Sequence, residues 1–104
     1  MEKIIDGKRY NTKTAIEVGY WCNGLGNSDF RNCDETLYRT KNGNYFLYGE
    51  GGGLTRWAKS NGNTSWGSSG VVAMPPADAL AWFEQHDLEP EKVCVEILAL
   101  ITEA

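Results

Sequence analysis

Two runs of aromatic, aliphatic and polar residues flank the dipeptide Asn42-Gly43 and predict the clearest element of the chain. A two-residue type I′ turn needs a positive φ at both central positions, and Asn-Gly is a preferred pair there. The pattern therefore predicts a β-hairpin in which Thr40 pairs with Tyr45. One predicted face carries Tyr38, Thr40, Tyr45 and Leu47, and the other carries Leu37, Arg39, Phe46 and Tyr48. Neither face is polar, so we expect an inner hairpin with one face in the core and the other partly covered.

Other strands follow from the same kind of pattern. Asp6-Gly7 lies between residues 3–5 and 8–10 and predicts a second two-residue hairpin, with Ile4 opposite Arg9, at a sheet edge. Residues 15–21 alternate and are rich in Val, Tyr and Trp, which favours a strand. The alternative for this region is a short helix capped by a threonine. Residues 71–74 predict a short apolar strand.

The segments around the central hairpin have turn chemistry. Residues 23–35 predict a loop that Phe30 pins to the core, because Asn-Gly, Gly and Asp dominate it. Residues 49–70 form a long Gly/Ser/Asn-rich tract in which a helical turn at 54–60 is possible. Loops of this length inside a small domain are usually functional or poorly ordered.

The C-terminal third predicts helices. Pro75-Pro76 can start a helix, and Ala79, Trp82, Phe83 and His86 then share one face. Apolar residues recur at helical spacing again from Val93 to Ile101, although residues 93–95 could also begin a strand. The predicted fold is α+β: residues 1–104 form a single domain with a twisted antiparallel sheet of four or five strands and C-terminal helices packed on one face.

Charge is unevenly distributed along the chain. The net charge is −4, but residues 75–104 contain a single Lys and seven Asp or Glu. A solvated helix face is the simplest explanation, and an acidic surface that docks on a basic partner is the alternative. Three cysteines without framework spacing predict reduced thiols and a cytoplasmic protein. No segment is long and apolar enough to predict a signal peptide or a membrane span.

Catalytic and metal-binding motifs are weak. Cys22, Cys33, His86 and Cys94 lack the closely paired ligands of structural zinc sites, so we expect no metal. His86 with a cysteine could form a nucleophile–base pair, but a histidine at a helix C-terminus is more often placed for the helix dipole. The glycine run at 49–53 lacks the Lys of a phosphate-binding loop. We expect neither a cofactor nor an enzyme.

Aromatic and basic residues interleave in the middle of the chain. Rings that stack bases and cations that track phosphates are what a single-stranded nucleic-acid platform needs. Core packing explains such aromatics equally well, and the whole chain is acidic. The residues concerned are Tyr45, Tyr48, Trp57 and Trp66, with Arg39, Lys41, Arg56 and Lys59.

Two segments and one short pattern resemble a known group of proteins. Residues 3–12 (KIIDGKRYNT), residues 37–52 (LYRTKNGNYFLYGEGG) and the pattern Ala79-Leu80-Ala81-Trp82 are similar to small uncharacterised proteins of prophages and other mobile elements. Small acidic proteins of this setting include anti-CRISPR inhibitors. The resemblance implies a protein in the cytoplasm of a bacterial host cell that binds and blocks a host defence protein, foremost a CRISPR-Cas effector. The alternative is a nucleic-acid-binding or transcription-linked accessory protein of a mobile element.

Two surfaces are candidates for binding such a partner. The loop after the central hairpin supplies aromatic and Arg anchors, which concentrate binding energy. The acidic C-terminal segment would be steered towards the basic grooves of proteins that handle nucleic acid. The predicted partner-binding residues are Glu50, Arg56, Trp57 and Trp66 in the loop, and Glu84, Asp87, Glu89 and Glu91 in the C-terminal segment.

Overall fold

A computed structural model describes residues 1–26 and 28–104 of the chain. Within these residues, a four-stranded antiparallel sheet, two smaller hairpins and short helices form an α+β fold, as the sequence predicts. The central sheet has the spatial order β3-β4-β5-β8. The elements are β1 (Glu2–Ile5), β2 (Lys8–Asn11), β3 (Ile16–Cys22), β4 (Cys33–Arg39), β5 (Tyr45–Gly51), β6 (Lys59–Asn61), β7 (Thr64–Trp66), β8 (Ser68–Met74), α1 (Pro76–Gln85) and α2 (Val95–Leu98).

The turn between β4 and β5 lies where it was predicted, but it is one residue longer. The N–H of Gly43 donates to the carbonyl of Thr40 (3.0 Å), and the N–H of Thr40 donates to the carbonyl of Asn44 (2.8 Å). Gly43 has a φ of +82°, whereas Asn42 does not have a positive φ. This is the three-residue loop in which a type I turn is followed by a left-handed residue. The prediction of a two-residue turn was therefore wrong.

The longer turn moves the strand register by one residue. Leu37 lies opposite Leu47 and Arg39 opposite Tyr45, instead of the predicted pairing of Thr40 with Tyr45. A shift of one residue moves every side chain of a strand to the other face relative to its partner. The predicted composition of the two faces was wrong for this reason.

One face of the central sheet is covered by the two helices, and we call it the helix-covered face. Its core is continuous and includes the segment between β5 and β6. Ala79, Trp82 and Phe83 of α1 are buried there, which confirms the predicted orientation of this helix. The buried residues of this core are Val18, Cys33, Leu37, Tyr45, Leu47, Trp57, Ala79, Trp82, Phe83, Cys94 and Ile97.

The opposite face is covered over only part of its area. The hairpin of β1 and β2 has the predicted register, with Ile4 opposite Arg9, but it packs across this face as a separate two-stranded sheet. Tyr10 of the hairpin meets Phe46 edge-on at 5.4 Å between ring centroids. Tyr10, Phe46 and Val71 form the small core beneath it. The other part of this face has no such cover in the described chain.

Two predicted loops contain strands. β4 begins at Cys33, so the loop predicted for 23–35 ends earlier, and Phe30 is 71% exposed rather than pinned to the core. The tract at 49–70 contains the end of β5, the β6–β7 hairpin and the start of β8. The helical turn predicted for 54–60 is absent: residues 54–57 form turns and a bend, and residues 59–60 belong to β6. All side chains of β6 and β7 are exposed, so no apolar alternation marked them in the sequence.

The C-terminal segment is less helical than its apolar spacing predicted. α2 has a single turn, in which Ile97 is buried, while Leu100 and Ile101 beyond it are each 47% exposed. Cys94, directly before α2, is fully buried. Among the described residues, neither helix is long and apolar enough to cross a membrane.

Candidate protein-binding surfaces

Trp57 is part of the core and not of the surface. It is 7% exposed and lies across two glycines of neighbouring strands, Gly49 of β5 and Gly70 of β8. A side chain at Gly49 would overlap the indole ring, so the strand needs glycine there. The structure therefore places Trp57, which was predicted as a partner-binding residue of the loop surface, in the core.

A buried carboxylate explains why this tryptophan turns inward. Glu35 of β4 is 4% exposed, and its Oε2 accepts a hydrogen bond from Trp57 Nε1 at 2.8 Å. Its Oε1 accepts one from Trp82 Nε1 at 2.9 Å. A buried carboxylate is tolerated only when donors replace its water. The two indole groups do this, and they tie the segment after β5 to helix α1.

His86 completes the surroundings of Glu35. Its Nε2 lies 3.6 Å from Glu35 Oε1, and its ring stacks on Trp21 with 4.1 Å between centroids. The thiol of Cys33 lies 3.9 Å from Glu35 Oε2. Both carboxylate oxygens are thus engaged. The arrangement links strand, loop and helix in the core.

The sequence contained a signal for Glu35 that was missed. Cys33, Glu35 and Leu37 are spaced by two residues, so they point to one side of a strand. A glutamate in phase with buried apolar positions needs a buried partner. This phase was hidden because the predicted loop ran to residue 35 and the hairpin register was displaced.

The other predicted loop residues are on the surface but do not form one site. Glu50 is exposed and lines a groove of about 600 Å³. Arg56 is also exposed, with its guanidinium carbon 4.9 Å from the centroid of the Trp57 ring. Trp66 is 46% exposed and lies opposite Lys59 in the β6–β7 hairpin. Neither Arg56 nor Trp66 lines the groove of Glu50.

The four acidic residues predicted as a binding surface in the C-terminal segment are all exposed. Glu84, Asp87, Glu89 and Glu91 follow one another from the last turn of α1 into the chain beyond it. Glu84 and Glu89 line a groove of about 350 Å³, which we call the C-terminal groove. Its other lining residues are mainly apolar: Leu80, Phe83, Leu88, Pro90, Leu100, Ile101 and Thr102. The structure therefore places two of the four predicted acidic residues beside apolar surface.

A second polar cluster joins the end of the hairpin to α2. Arg39 donates to both carboxylate oxygens of Glu96, at 3.0 and 2.7 Å, and the hydroxyl of Tyr45 donates to Glu96 at 2.8 Å. The Arg39 guanidinium lowers the pKa of Glu96 to about 2. Burial and the bond to Glu96 raise the pKa of Tyr45. Arg39 and Tyr45 are thus engaged within the fold.

The aromatic and basic residues proposed for a nucleic-acid platform are accordingly divided. Tyr45 and Trp57 are buried, and Arg39 is bound to Glu96. Arg56, Lys59 and Trp66 remain exposed near the β6–β7 hairpin. No group of three or more potential metal ligands occurs among the described residues.

Comparison of the chain with protein-family models, curated proteins and solved structures finds no match. Function is therefore inferred from the surfaces of the chain itself.

Proposed function

We propose that this protein is a binding inhibitor of a phage or mobile element, which attaches to a host defence protein in the bacterial cytoplasm and blocks it. The first candidate for the target is a CRISPR effector. The observation that carries the proposal is the C-terminal groove, where Glu84 and Glu89 stand beside apolar surface.

Such a groove combines the two properties that a protein interface needs. Leu100 and Ile101 are half exposed and offer apolar area for a buried interface centre. Acidic side chains at the rim accelerate encounter with a basic partner more than they add affinity. Proteins that handle nucleic acid are basic where the phosphates bind, so an acidic ligand competes with the nucleic acid there.

The mode of action that we propose is occupancy without catalysis. The residues best suited to acid–base chemistry, Glu35 and His86, are bound to indole rings inside the core. A nucleophile or general base must reach the substrate within hydrogen-bond distance. The exposed carboxylates of the C-terminal segment suit recognition better.

The test measures target-DNA binding by purified CRISPR effectors, each loaded with its guide RNA, as this protein is added. We expect stoichiometric loss of DNA binding for the cognate effector. Glu84→Lys/Glu89→Lys should slow association about tenfold or more at low salt. The control Glu2→Lys/Glu17→Lys makes the same change in net charge at exposed positions outside the groove. Full effector activity at an equimolar or higher dose across the CRISPR types of the host would contradict the CRISPR assignment.

A second candidate function is nucleic-acid binding, which the β6–β7 hairpin favours. It places Lys59 directly opposite Trp66, and Arg56 is exposed just before it. Cations beside an exposed ring suit single-stranded DNA or RNA. Titration of labelled oligonucleotides at about 50 and 200 mM salt separates the two functions, because phosphate contacts give a steep loss of affinity with salt. Trp66→Ala should abolish such binding, because it removes the ring on which a base would stack.

A further inference from the structure

The uncovered part of the second sheet face has a distinct composition. We call it the open face; it begins where the β1–β2 hairpin stops covering the strands. In the outer row across the four strands, Cys22 lies opposite Asp34, Asp34 opposite Glu50, and Glu50 opposite Ser69. In the next row, Tyr20 lies opposite Thr36 and Thr36 opposite Tyr48. The open face thus consists of Tyr20, Cys22, Asp34, Thr36, Glu50 and Ser69, and Tyr48 lies at its border with the small core.

Two like charges are directly opposed in the outer row. Asp34 and Glu50 are cross-strand partners, whose Cβ atoms are about 4.5–5.5 Å apart in such a pair, and like charges in this position destabilise a sheet. Among the described residues, neither carboxylate forms a salt bridge with Lys or Arg. Arg31, from the adjoining loop, is bound to Asp29 at 3.0 Å. A cation from outside the chain would relieve the repulsion.

The same two carboxylates line the groove of about 600 Å³. One wall is Phe30, a residue that is 71% exposed, and the other includes the glycine segment 51–53. The main chain of Phe30 lies so close to Gly52 that a Cβ there would be 2.5 Å from the Phe30 carbonyl oxygen. The glycine allows the two loops to meet, and their meeting forms the groove beside the carboxylates. Its polar lining also includes Asn32, Ser68 and Ser69.

Tyr20 lies on the open face, one row from Asp34. Its hydrogen bond to Cys22, followed by desolvation and the charge of Asp34, raises the pKa of Tyr20 to about 12. Tyr20 is 52% exposed, so its ring is available beside Asp34. The groove therefore combines the two carboxylates with one exposed aromatic residue, Phe30, while Tyr20 lies outside its lining on the same face.

We propose that the groove on the open face binds an arginine side chain of the protein partner, between Asp34 and Glu50 and beside the ring of Phe30. Arginine fits because its planar guanidinium has several donors for two carboxylates and stacks on aromatic rings. The ammonium group of lysine is a point charge and uses such a site less fully. This inference deepens the proposed function. It rests on that function in one respect, namely that the arginine belongs to a protein.

The test is an NMR titration of the nitrogen-labelled full chain with the peptide acetyl-Gly-Arg-Gly-amide. We expect saturable shifts of the amides of Asp34, Glu50 and Gly51–53. The same peptide with citrulline, an uncharged isostere of arginine, should bind at least about tenfold more weakly, since it lacks the charge-assisted bonds. Saturation by Ca²⁺ or by a neutral oligosaccharide without any response to the arginine peptide would overturn the proposal.

Matched variants separate local recognition from overall charge. Asp34→Asn and Glu50→Gln should each weaken peptide binding about fivefold or more, and each should raise Tm by about 2–4 °C because the opposed charges are relieved. The controls Glu2→Gln and Glu17→Gln remove the same charge at exposed positions outside both grooves and should bind like the parent. Equal weakening by both pairs would reveal a non-specific charge effect and overturn the inference.

Inhibition assays with CRISPR effectors distinguish a failure of this inference from a failure of the proposed function. If Asp34→Asn/Glu50→Gln inhibits an effector as well as the parent does, the arginine site is wrong and the inhibitor function stands. If the parent inhibits no effector but binds the arginine peptide with the expected variant pattern, the site stands and the CRISPR assignment fails.

Discussion

The two faces of the central sheet treat neighbouring carboxylates in opposite ways. Glu35 points into the helix-covered face, where two indole N–H groups bind its oxygens at 2.8 and 2.9 Å. Asp34, one residue earlier on the same strand, points to the open face and lies opposite Glu50. Successive side chains of a strand alternate between faces. One step along the backbone therefore separates Glu35, whose carboxylate is hydrogen-bonded in the core, from Asp34, whose carboxylate faces another carboxylate.

The difference teaches where this chain is stable and where it is available for binding. A carboxylate inside a core must be paired with donors, because an unpaired buried charge destabilises strongly. A carboxylate on the open face keeps its water and can exchange that water for a partner. Variants on the helix-covered face should therefore change stability, and variants on the open face should change binding.

Trp82→Ala should have the largest effect on stability. It removes a core side chain that is 3% exposed, together with one donor to Glu35, so we expect a loss of about 3–5 kcal/mol. Tyr20→Ala on the open face should lose under about 1 kcal/mol, because surface substitutions have small effects. Urea unfolding of both variants measures the contrast. Similar losses at the two positions would refute the division between the faces.

Glu35→Gln tests the polar centre without removing volume. Glutamine offers one acceptor oxygen where Trp57 and Trp82 need two, so one indole N–H would face an amide donor. We expect a loss of about 1–3 kcal/mol. Asp34→Asn is the matched control on the open face and should not destabilise. A Glu35→Gln variant as stable as the parent would show that the carboxylate is replaceable.

Gly43→Val tests the turn that sets the strand register and hence the composition of both faces. Gly43 has a φ of +82°, and a Cβ there would also lie 2.6 Å from Glu96 Oε2. A β-branched residue at positive φ is strained, so we expect a loss of about 1–3 kcal/mol. In the control Asn42→Val, valine replaces a residue that does not have a positive φ, so this variant should lose less stability. Equal melting temperatures of parent and Gly43→Val would contradict the turn.

The sequence predicted element types better than it predicted which side chains meet. The hairpins at Asp6-Gly7 and near Gly43, and the buried face of α1, follow from local rules. The register of β4 and β5 did not, because Asn-Gly serves both two-residue and three-residue loops. That one residue concealed the pairing of Asp34 with Glu50.

The surface assignments show a second limit. Trp57 and Trp66 have similar glycine-rich and polar surroundings in sequence, yet one is 7% and the other 46% exposed. What separates them is Glu35, 22 residues before Trp57 in the chain, whose carboxylate takes the indole N–H of Trp57. Long-range pairing of this kind cannot be read from local composition.

Glu96→Gln should change how the stability of the protein depends on acid pH, and this effect should be smaller than those of the substitutions above. Arg39 lowers the folded-state pKa of Glu96 from 4.5 to about 2, so its contribution to stability is complete above pH 4.5. The contribution is lost as the pH falls from 4.5 towards 2, because the carboxylate is protonated. The free energy of unfolding of Glu96→Gln should therefore fall less steeply than that of the parent in this range. Glu89→Gln, at an exposed carboxylate, should follow the parent. If the free energy of unfolding has the same pH dependence in the parent and in both variants, the Arg39–Glu96 pair does not contribute to acid sensitivity.

The smallest perturbation is chemical labelling, which compares the faces without any substitution. Cys22 is exposed in the outer row of the open face, whereas Cys33 and Cys94 are buried under the helices. Burial raises the pKa of both buried thiols, and the thiolate is the reactive form, so burial and protonation protect them together. We expect one fast-reacting thiol in the native protein and three after denaturation, and Cys22→Ser should remove the fast phase. A second fast thiol in the native state would mean that the helices lift from the sheet on the timescale of labelling. Since β3 and β4 pair Cys22 with Asp34, next to Cys33, this labelling reads the alternation between the two faces at a single position of the sheet.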